Sequence, residues 1–195
     1  GLAEVWAEWS RMKLSELLAA VPRLVDPLSI DSRDPDIASI TCDSRQVGPG
    51  SLFVAIPGVD VDGHDFIVQA LGKGATAVVG QRRRSALFPA GPPVPYISAQ
   101  DSREALAWLA AAWHGFPARK LRVVGVTGTE GKTTTVRLIA EILRASGRRV
   151  SWVSTVSANI GGQELDTGLH VTTPDALDVQ RYLAQMVSAG TDYAV

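Results

Sequence analysis

A single cysteine, Cys42, occurs in the 195 residues, so no disulfide framework can hold this chain together. Long apolar runs are missing too: none approaches the roughly 20 residues needed to cross a bilayer, which argues against membrane insertion. Charge of one sign is also absent, because 19 Lys and Arg offset 20 Asp and Glu for a net charge of -1. The broad positive surface that binds nucleic acid or an anionic membrane is therefore not expected. The N-terminus lacks a basic start followed by an apolar stretch and carries Glu4 and Glu8, so it does not read as a secretory signal. With one thiol and no export signal, the composition fits a reducing cytoplasm.

Hydrophobic residues make up 46% and charged residues 20%, the balance of a soluble globular protein with enough apolar material for its own core. The length fits one domain or two small ones. Leu2, Val5, Trp6 and Trp9 follow helical spacing, so residues 1–12 read as an N-terminal extension helix, with Met12 a candidate natural start. The stripe Leu14, Leu17, Leu18 and Val21 predicts a helix stopped by Pro22. Ile40–Cys42, the apolar runs Leu52–Ile56 and Ala75–Val79, and Pro95–Ile97 predict strands, with a helix over Phe66, Ile67, Ala70 and Leu71 among them. Arg82-Arg83-Arg84 reads as a solvated turn.

Asp101 or Ser102 is placed to cap a helix carrying Leu106, Leu109 and Trp113, and Gly115–Lys120 marks a domain boundary. Beyond it the pattern predicts a strand at Arg122–Val126, a helix over Lys132–Ser146 closed by Gly147, and a strand at Val150–Val153. A helix over Asp175–Ala189 follows, with Val179, Leu183, Met186 and Val187 inward, and Tyr193–Val195 opens another strand. Strands alternating with helices imply parallel sheets with right-handed crossovers. The fold class is thus α/β, with a small N-terminal α/β domain at residues 13–117 and an incomplete parallel sheet with flanking helices at 118–195. The β-prone run that opens at Tyr193 reads as a domain cut short.

Between the predicted strand at Arg122 and the helix at Lys132 lies Gly128-Thr129-Glu130-Gly131-Lys132-Thr133-Thr134. Strand, glycine-rich turn, then Lys-Thr at a helix start is the setting of a phosphate loop. Polyphosphate oxygens need several backbone N–H donors at close range, and Gly128 and Gly131 allow the curvature and the approach. The helix start adds unpaired N–H groups and a positive dipole end. Lys132 supplies a mobile positive charge for the β- and γ-phosphates, and Thr133 a hydroxyl for Mg2+. One position departs from the general pattern: Val126 stands where a glycine is usual, and Gly125 falls one residue early. Glu130 would repel a polyphosphate unless it faces solvent. The bland alternative is a glycine-rich turn without a ligand.

This segment resembles the nucleotide loop of the Mur ligase superfamily. Asp43-Ser44-Arg45, then Pro49–Ala55, then Asp62–Ile67 resemble the family's N-terminal domain. Thr172-Thr173-Pro174, with Asp178-Val179-Gln180 beyond, is similar to the MurE branch, and the likeness runs from Lys13 to Val195. It implies that residues 118–195 begin an ATP-binding central domain of P-loop type, with ATP held by Gly128, Thr129, Glu130, Gly131, Lys132, Thr133 and Thr134. It further implies that residues 13–117 hold a UDP-sugar through Cys42, Ser44, Val59, Asp60 and Val61, and that Thr172 and Thr173 touch the muramoyl peptide. Other readings of these residues stay open. Ser44 and Arg45 suit a phosphate or a turn, Asp43 suits a turn cap, and Thr173 before Pro174 suits a helix N-cap. The acidic cluster at Asp60, Asp62 and Asp65 lacks the glycine offset and later glutamate of an EF-hand, so calcium is not expected. His170 reads as surface or packing, and His114 has no assigned role.

The chemistry implied is ligation of a diamino acid, L-lysine or meso-diaminopimelate, to UDP-N-acetylmuramoyl-L-alanyl-D-glutamate in peptidoglycan synthesis. ATP phosphorylates the carboxylate to an acyl phosphate, because oxide is too poor a leaving group, and the amine then displaces phosphate. By the same resemblance the Mg2+-binding glutamate, a modified lysine and the diamino-acid site lie beyond Val195. The 195 residues are therefore expected to bind nucleotide weakly and not to ligate. Two alternatives remain: another superfamily member, MurF-like, or a non-catalytic nucleotide-binding module. A generic P-loop kinase or GTPase fits less well, since Asp192 precedes its strand.

Overall fold

The computed structural model describes residues 11–25, 34–58, 61–155, 157–166 and 175–195. Its chain forms two compact units, Gly1–Trp113 and His114–Val195. In the first, the opening elements are β1 (Met12–Lys13), α1 (Leu14–Leu18), β2 (Asp36–Ile37), β3 (Ser39–Thr41) and β4 (Ser51–Val54). A 3-10 turn at Gly63–Phe66 then leads into α2 (Ile67–Gly72), β5 (Ala75–Gly80), α3 (Arg84–Leu87), β6 (Tyr96–Ser98) and α4 (Ser102–Trp113). The proposed extension helix lies outside the described residues except at its end, where Met12 is in a strand paired with Ile37 instead.

Strands β3, β4, β5 and β6 form one sheet in that order, every pair parallel. Alternation splits β4 and β5 between two cores. Phe53 and Val78 join Ile67, Ala70 and Tyr96 on one face, with Leu87 and Phe88 packed against them. Leu52, Val54, Ala77 and Val79 are equally buried, and α4 packs on β5 and against α1. A strand buried on both faces explains the unbroken apolar runs in the sequence. Burying each of the larger ones, such as Leu52, Phe53, Val54, Val78 and Val79, contributes roughly 1.5–3 kcal/mol. Asp101 caps α4, its carboxylate accepting from the backbone N–H of Arg103 and Glu104.

The second unit contains β7 (Arg122–Val123), α5 (Lys132–Ala145), β8 (Val150–Val153), β9 (Ser157–Ile160), β10 (Gln163–Asp166), α6 (Ala176–Ser188) and β11 (Tyr193–Ala194). Its five-stranded sheet runs β10-β9-β8-β11-β7. The parallel arrangement holds for β8, β11 and β7. It fails for β9 and β10, which form an antiparallel hairpin on β8. The hairpin turns at Gly161 and Gly162, with φ of 59° and 89°, values open to two consecutive glycines. α5 covers one face of the sheet, packing Val136 and Ala140 on Val150 and Trp152. α6 covers the other with Tyr182, Leu183 and Met186 on Ile160 and Ala194.

Two local expectations are corrected here. The strand predicted over Arg122–Val126 is regular only at Arg122–Val123, at the edge of the sheet, and Val123 is exposed rather than buried. Helix α6 is capped by Asp175, whose carboxylate accepts from the Asp178 N–H, and Val179 on it is exposed rather than inward. Thr173 and Pro174, the alternative cap, lie outside the described residues.

Candidate functional site

In the second unit β7 leads into the glycine-rich loop, and α5 rises from its far end. The Val124 N–H still bonds the Ala194 carbonyl, after which the chain leaves the sheet. Gly131, at the N-cap of α5, has φ 73°, and Gly128 has φ 146°. Both values strain a residue with a Cβ, so the glycines are required by backbone shape. Lys132 folds back over the loop, its ammonium donating to the carbonyls of Gly128 at 2.7 Å and Thr129 at 3.1 Å. An ammonium has three donors, so the lysine braces the loop with two and has one left for an anion. The first turn of α5 presents N–H groups without intrahelical partners. Glu130 is exposed, like the rest of the loop.

These residues fit a nucleoside triphosphate: backbone donors, a mobile cation and a permissive loop converge at one helix start. Thr133 is half-buried on the first turn of α5. Mg2+ takes one or two protein oxygens when it keeps its waters and takes phosphate oxygens, and the Thr133 hydroxyl is of the type that would supply one. Among the described residues no group of three or more His, Cys, Asp or Glu is placed to hold a metal.

In the first unit the parallel register puts the ends of β3, β4 and β5 at one sheet edge, the carboxyl edge where α/β folds place ligands. Cys42 and Ser44 follow β3, Pro57, Gly58, Val61 and Asp62 follow β4, and Gln81 and Arg82 follow β5. Ser44 is buried, and its hydroxyl donates to Gln69 Oε1 at 3.0 Å. Lys73 on the same side donates to the carbonyls of Ser44 and Arg45. Asp43 and Arg45 close on one another, and the Arg45 donors hold the Asp43 carboxyl below its usual range. The turn reading of this segment is thus what the geometry shows. Val61 is exposed beside the Pro57–Asp62 bridge. Val59, Asp60, Thr172, Thr173 and His170 lie outside the described residues.

A polar network at this edge was not foreseen. Asp62 Oδ1 accepts from the His64 backbone N–H at 2.9 Å and from Nδ1 at 2.5 Å. Its Oδ2 accepts from Arg82 at 2.6 Å. His64 Nε2 in turn accepts from the backbone N–H of Gln81 and of Arg82, which fixes the Nδ1–H tautomer. Tyr96 donates its hydroxyl to the Arg82 carbonyl at 2.7 Å, and burial pushes its phenol well above the ordinary range. Arg82 lies exposed in a bend, as the solvated-turn reading expects, and is in addition anchored to Asp62. The i, i+2 spacing of Asp62 and His64 around Gly63 was the available signal, since Asp side chains commonly bond their own backbone two residues on.

Burial alone would raise the Asp62 carboxyl, but His64 and Arg82 together outweigh it and hold the group at about 2. A folded-state value below the unfolded one stabilises at pH above about 4, and that stability disappears as the pH falls through about 2. Urea melts of the first unit should therefore weaken between pH 4 and 2, and Asp62→Asn should flatten that part of the profile. An unchanged slope in the variant would mean another carboxylate carries it.

A sheet with a glycine-rich strand-to-helix loop and a separate parallel α/β unit with its loops at one carboxyl edge define an α/β protein of two units. Residues 36–114 match the Mur ligase family, catalytic domain, and residues 126–195 the Mur ligase middle domain. The chain belongs to the Mur ligase family. It is 40% identical over 182 residues to the UDP-N-acetylmuramoyl-L-alanyl-D-glutamate--2,6-diaminopimelate ligase of Geobacillus thermodenitrificans, covering 93% of this chain and 35% of that protein. It is 42% identical over 184 residues to the UDP-N-acetylmuramyl-tripeptide synthetase of Roseiflexus, covering 94% of this chain and 35% of the relative. A solved UDP-N-acetylmuramoyl-L-alanyl-D-glutamate--2,6-diaminopimelate ligase superposes with a TM-score of 0.67 at 26% identity, over 94% of this chain and 35% of the other. The chain thus spans about a third of the length of the relatives it matches. No helix among the described residues is long and apolar enough to cross a membrane.

Proposed function

We propose that these residues are the UDP-sugar-binding and ATP-binding parts of a ligase that joins a diamino acid to UDP-N-acetylmuramoyl-L-alanyl-D-glutamate in the cytoplasm. The observation that carries the reading is Lys132 braced over Gly128 and Thr129 at the start of α5, in a chain about 40% identical to ligases of that printed activity. ATP supplies the phosphoryl group that turns the substrate carboxylate into an acyl phosphate. The residues present do the holding: the loop N–H groups and Lys132 take the phosphates, and Thr133 takes Mg2+. Cys42, Ser44, Val59, Asp60 and Val61 hold the nucleotide of the UDP-sugar at the carboxyl edge of the first sheet, and Thr172 and Thr173 touch its peptide. The names of the relatives favour 2,6-diaminopimelate as the diamino acid.

Because the Ser44 hydroxyl bonds Gln69, its role in the UDP-sugar site is to shape the turn and present backbone groups. Calorimetric titration of the chain with UDP-N-acetylmuramoyl-L-alanyl-D-glutamate should show saturable binding. Ser44→Ala should weaken it by roughly 2–10-fold, the worth of one hydrogen bond. No saturable binding to the unaltered chain would overturn the UDP-sugar assignment.

A further inference from the structure

Arg137 and Arg144 lie seven positions apart on α5, two turns along and on one face. The Arg137 guanidinium sits 5.1 Å from the ring centroid of Trp152, donates to Ser157 Oγ at 3.3 Å and lies 3.9 Å from Glu164 Oε1. Arg144 donates to Asn159 Oδ1 at 2.6 Å and to the Val150 carbonyl at 3.1 Å, and is steadied by Glu141. Both arginines thus reach from the phosphate-loop helix across β8 to the β9–β10 hairpin. The hairpin's own ladder to β8 is short, pairing Trp152 with Asn159 and Val153 with Ala158. The fully buried contacts of α5 are few, at Val136 and Ala140. Arg144 and Asn159 form the tighter contact, a charged donor on a buried amide of the kind that fixes orientation.

We propose that Arg137 and Arg144 are positioning residues that make the hairpin respond to occupancy of the phosphate loop. Phosphate at the start of α5 orders the helix. The two guanidinium groups carry that order to Ser157, Asn159 and Glu164, and the hairpin continues in sequence toward Thr172 and Thr173. Coupling of this kind requires an element that both sites bias, and the arginine-linked hairpin is that element. The proposal rests on the nucleotide reading of the loop given above. It adds to that reading the side chains through which nucleotide binding is felt elsewhere in the unit.

The test is hydrogen exchange of the chain with and without a non-hydrolysable ATP analogue and Mg2+, followed over Ser157–Asp166, with a parallel fluorescence titration of the analogue. Binding should slow exchange in the hairpin by roughly five-fold or more. In the Arg137→Gln/Arg144→Gln variant the analogue should bind within about threefold of the original affinity, and the hairpin should no longer respond. A purely structural role would instead raise hairpin exchange equally with and without nucleotide. Arg137→Gln/Ser157→Ala leaves the Arg144 contact in place, guards against loss of folding in the first variant, and should reduce the response. A response that persists in both variants, or a hairpin indifferent to bound analogue in the unaltered chain, overturns the coupling alone. Failure of the analogue to bind at all overturns the nucleotide reading and the coupling with it.

Discussion

Lys132→Ala should lower the affinity of the chain for an ATP analogue by roughly 100-fold, with little effect on folding. The side chain makes two bonds to loop carbonyls, at Gly128 and Thr129, and an ammonium has a third donor for an anion. Hydrogen bonds to charged groups are worth about 1.5–3 kcal/mol each. The variant loses at least one to phosphate and also the brace that keeps the loop in shape, and about 3 kcal/mol is a hundredfold in affinity. The loop itself is exposed, so stability should change by no more than about 0.5 kcal/mol. A titration with a fluorescent analogue, beside a thermal melt, separates the two effects. Affinity unchanged in a folded variant would leave the glycine-rich turn without a ligand.

The largest stability effect should come from Gly80→Ala, at the end of β5. A Cβ there would stand 2.5 Å from Tyr96 Oη and 2.7 Å from His64 Nε2. Neither ring can retreat cheaply, because the Tyr96 hydroxyl is bonded to the Arg82 carbonyl and His64 is bonded at both nitrogens. Overpacking of this kind costs about 1–3 kcal/mol, and losing one of the buried hydrogen bonds adds to it. In a unit of this size that lowers Tm by roughly 10–20 °C. Gly72→Ala is the control: nothing lies within 4 Å of its added Cβ, so it should be neutral or stabilising by up to about 1 kcal/mol. Equal melting of the two variants would show that the crowding at Gly80 is relieved by movement.

Elements with one strong period were legible in the sequence. The runs at Leu52 and Ala75 named their strands because both faces are buried, and the stripe through Leu106, Leu109 and Trp113 named its helix. The strand-to-helix turn at 128–131 was legible because its glycines stand just before a clear helical stripe. Two features escaped for physical reasons. The β9–β10 hairpin is short and carries polar residues, so periodicity was weak, although Gly161-Gly162 between two β-prone stretches was a usable turn signal. The His64 network escaped because it is built across the sheet edge: Arg82 and Tyr96 come from elements far along the chain. For Ser44, the family likeness gave the position, and the structure adds its bond to Gln69, which no local pattern announces.

The run Arg82-Arg83-Arg84 looks uniform in composition, yet its members differ in what they can become. Arg82 grips Asp62 with its guanidinium, donates its N–H to His64 and lends its carbonyl to Tyr96. Arg83 and Arg84 are exposed, the second opening a one-turn helix that buries none of its residues. Relatives of this chain should therefore drift freely at the second and third positions and only narrowly at the first. A lysine there would keep the charge and lose the planar fork. The triplet is one constrained site followed by two neutral ones, and its evolutionary record should be asymmetric.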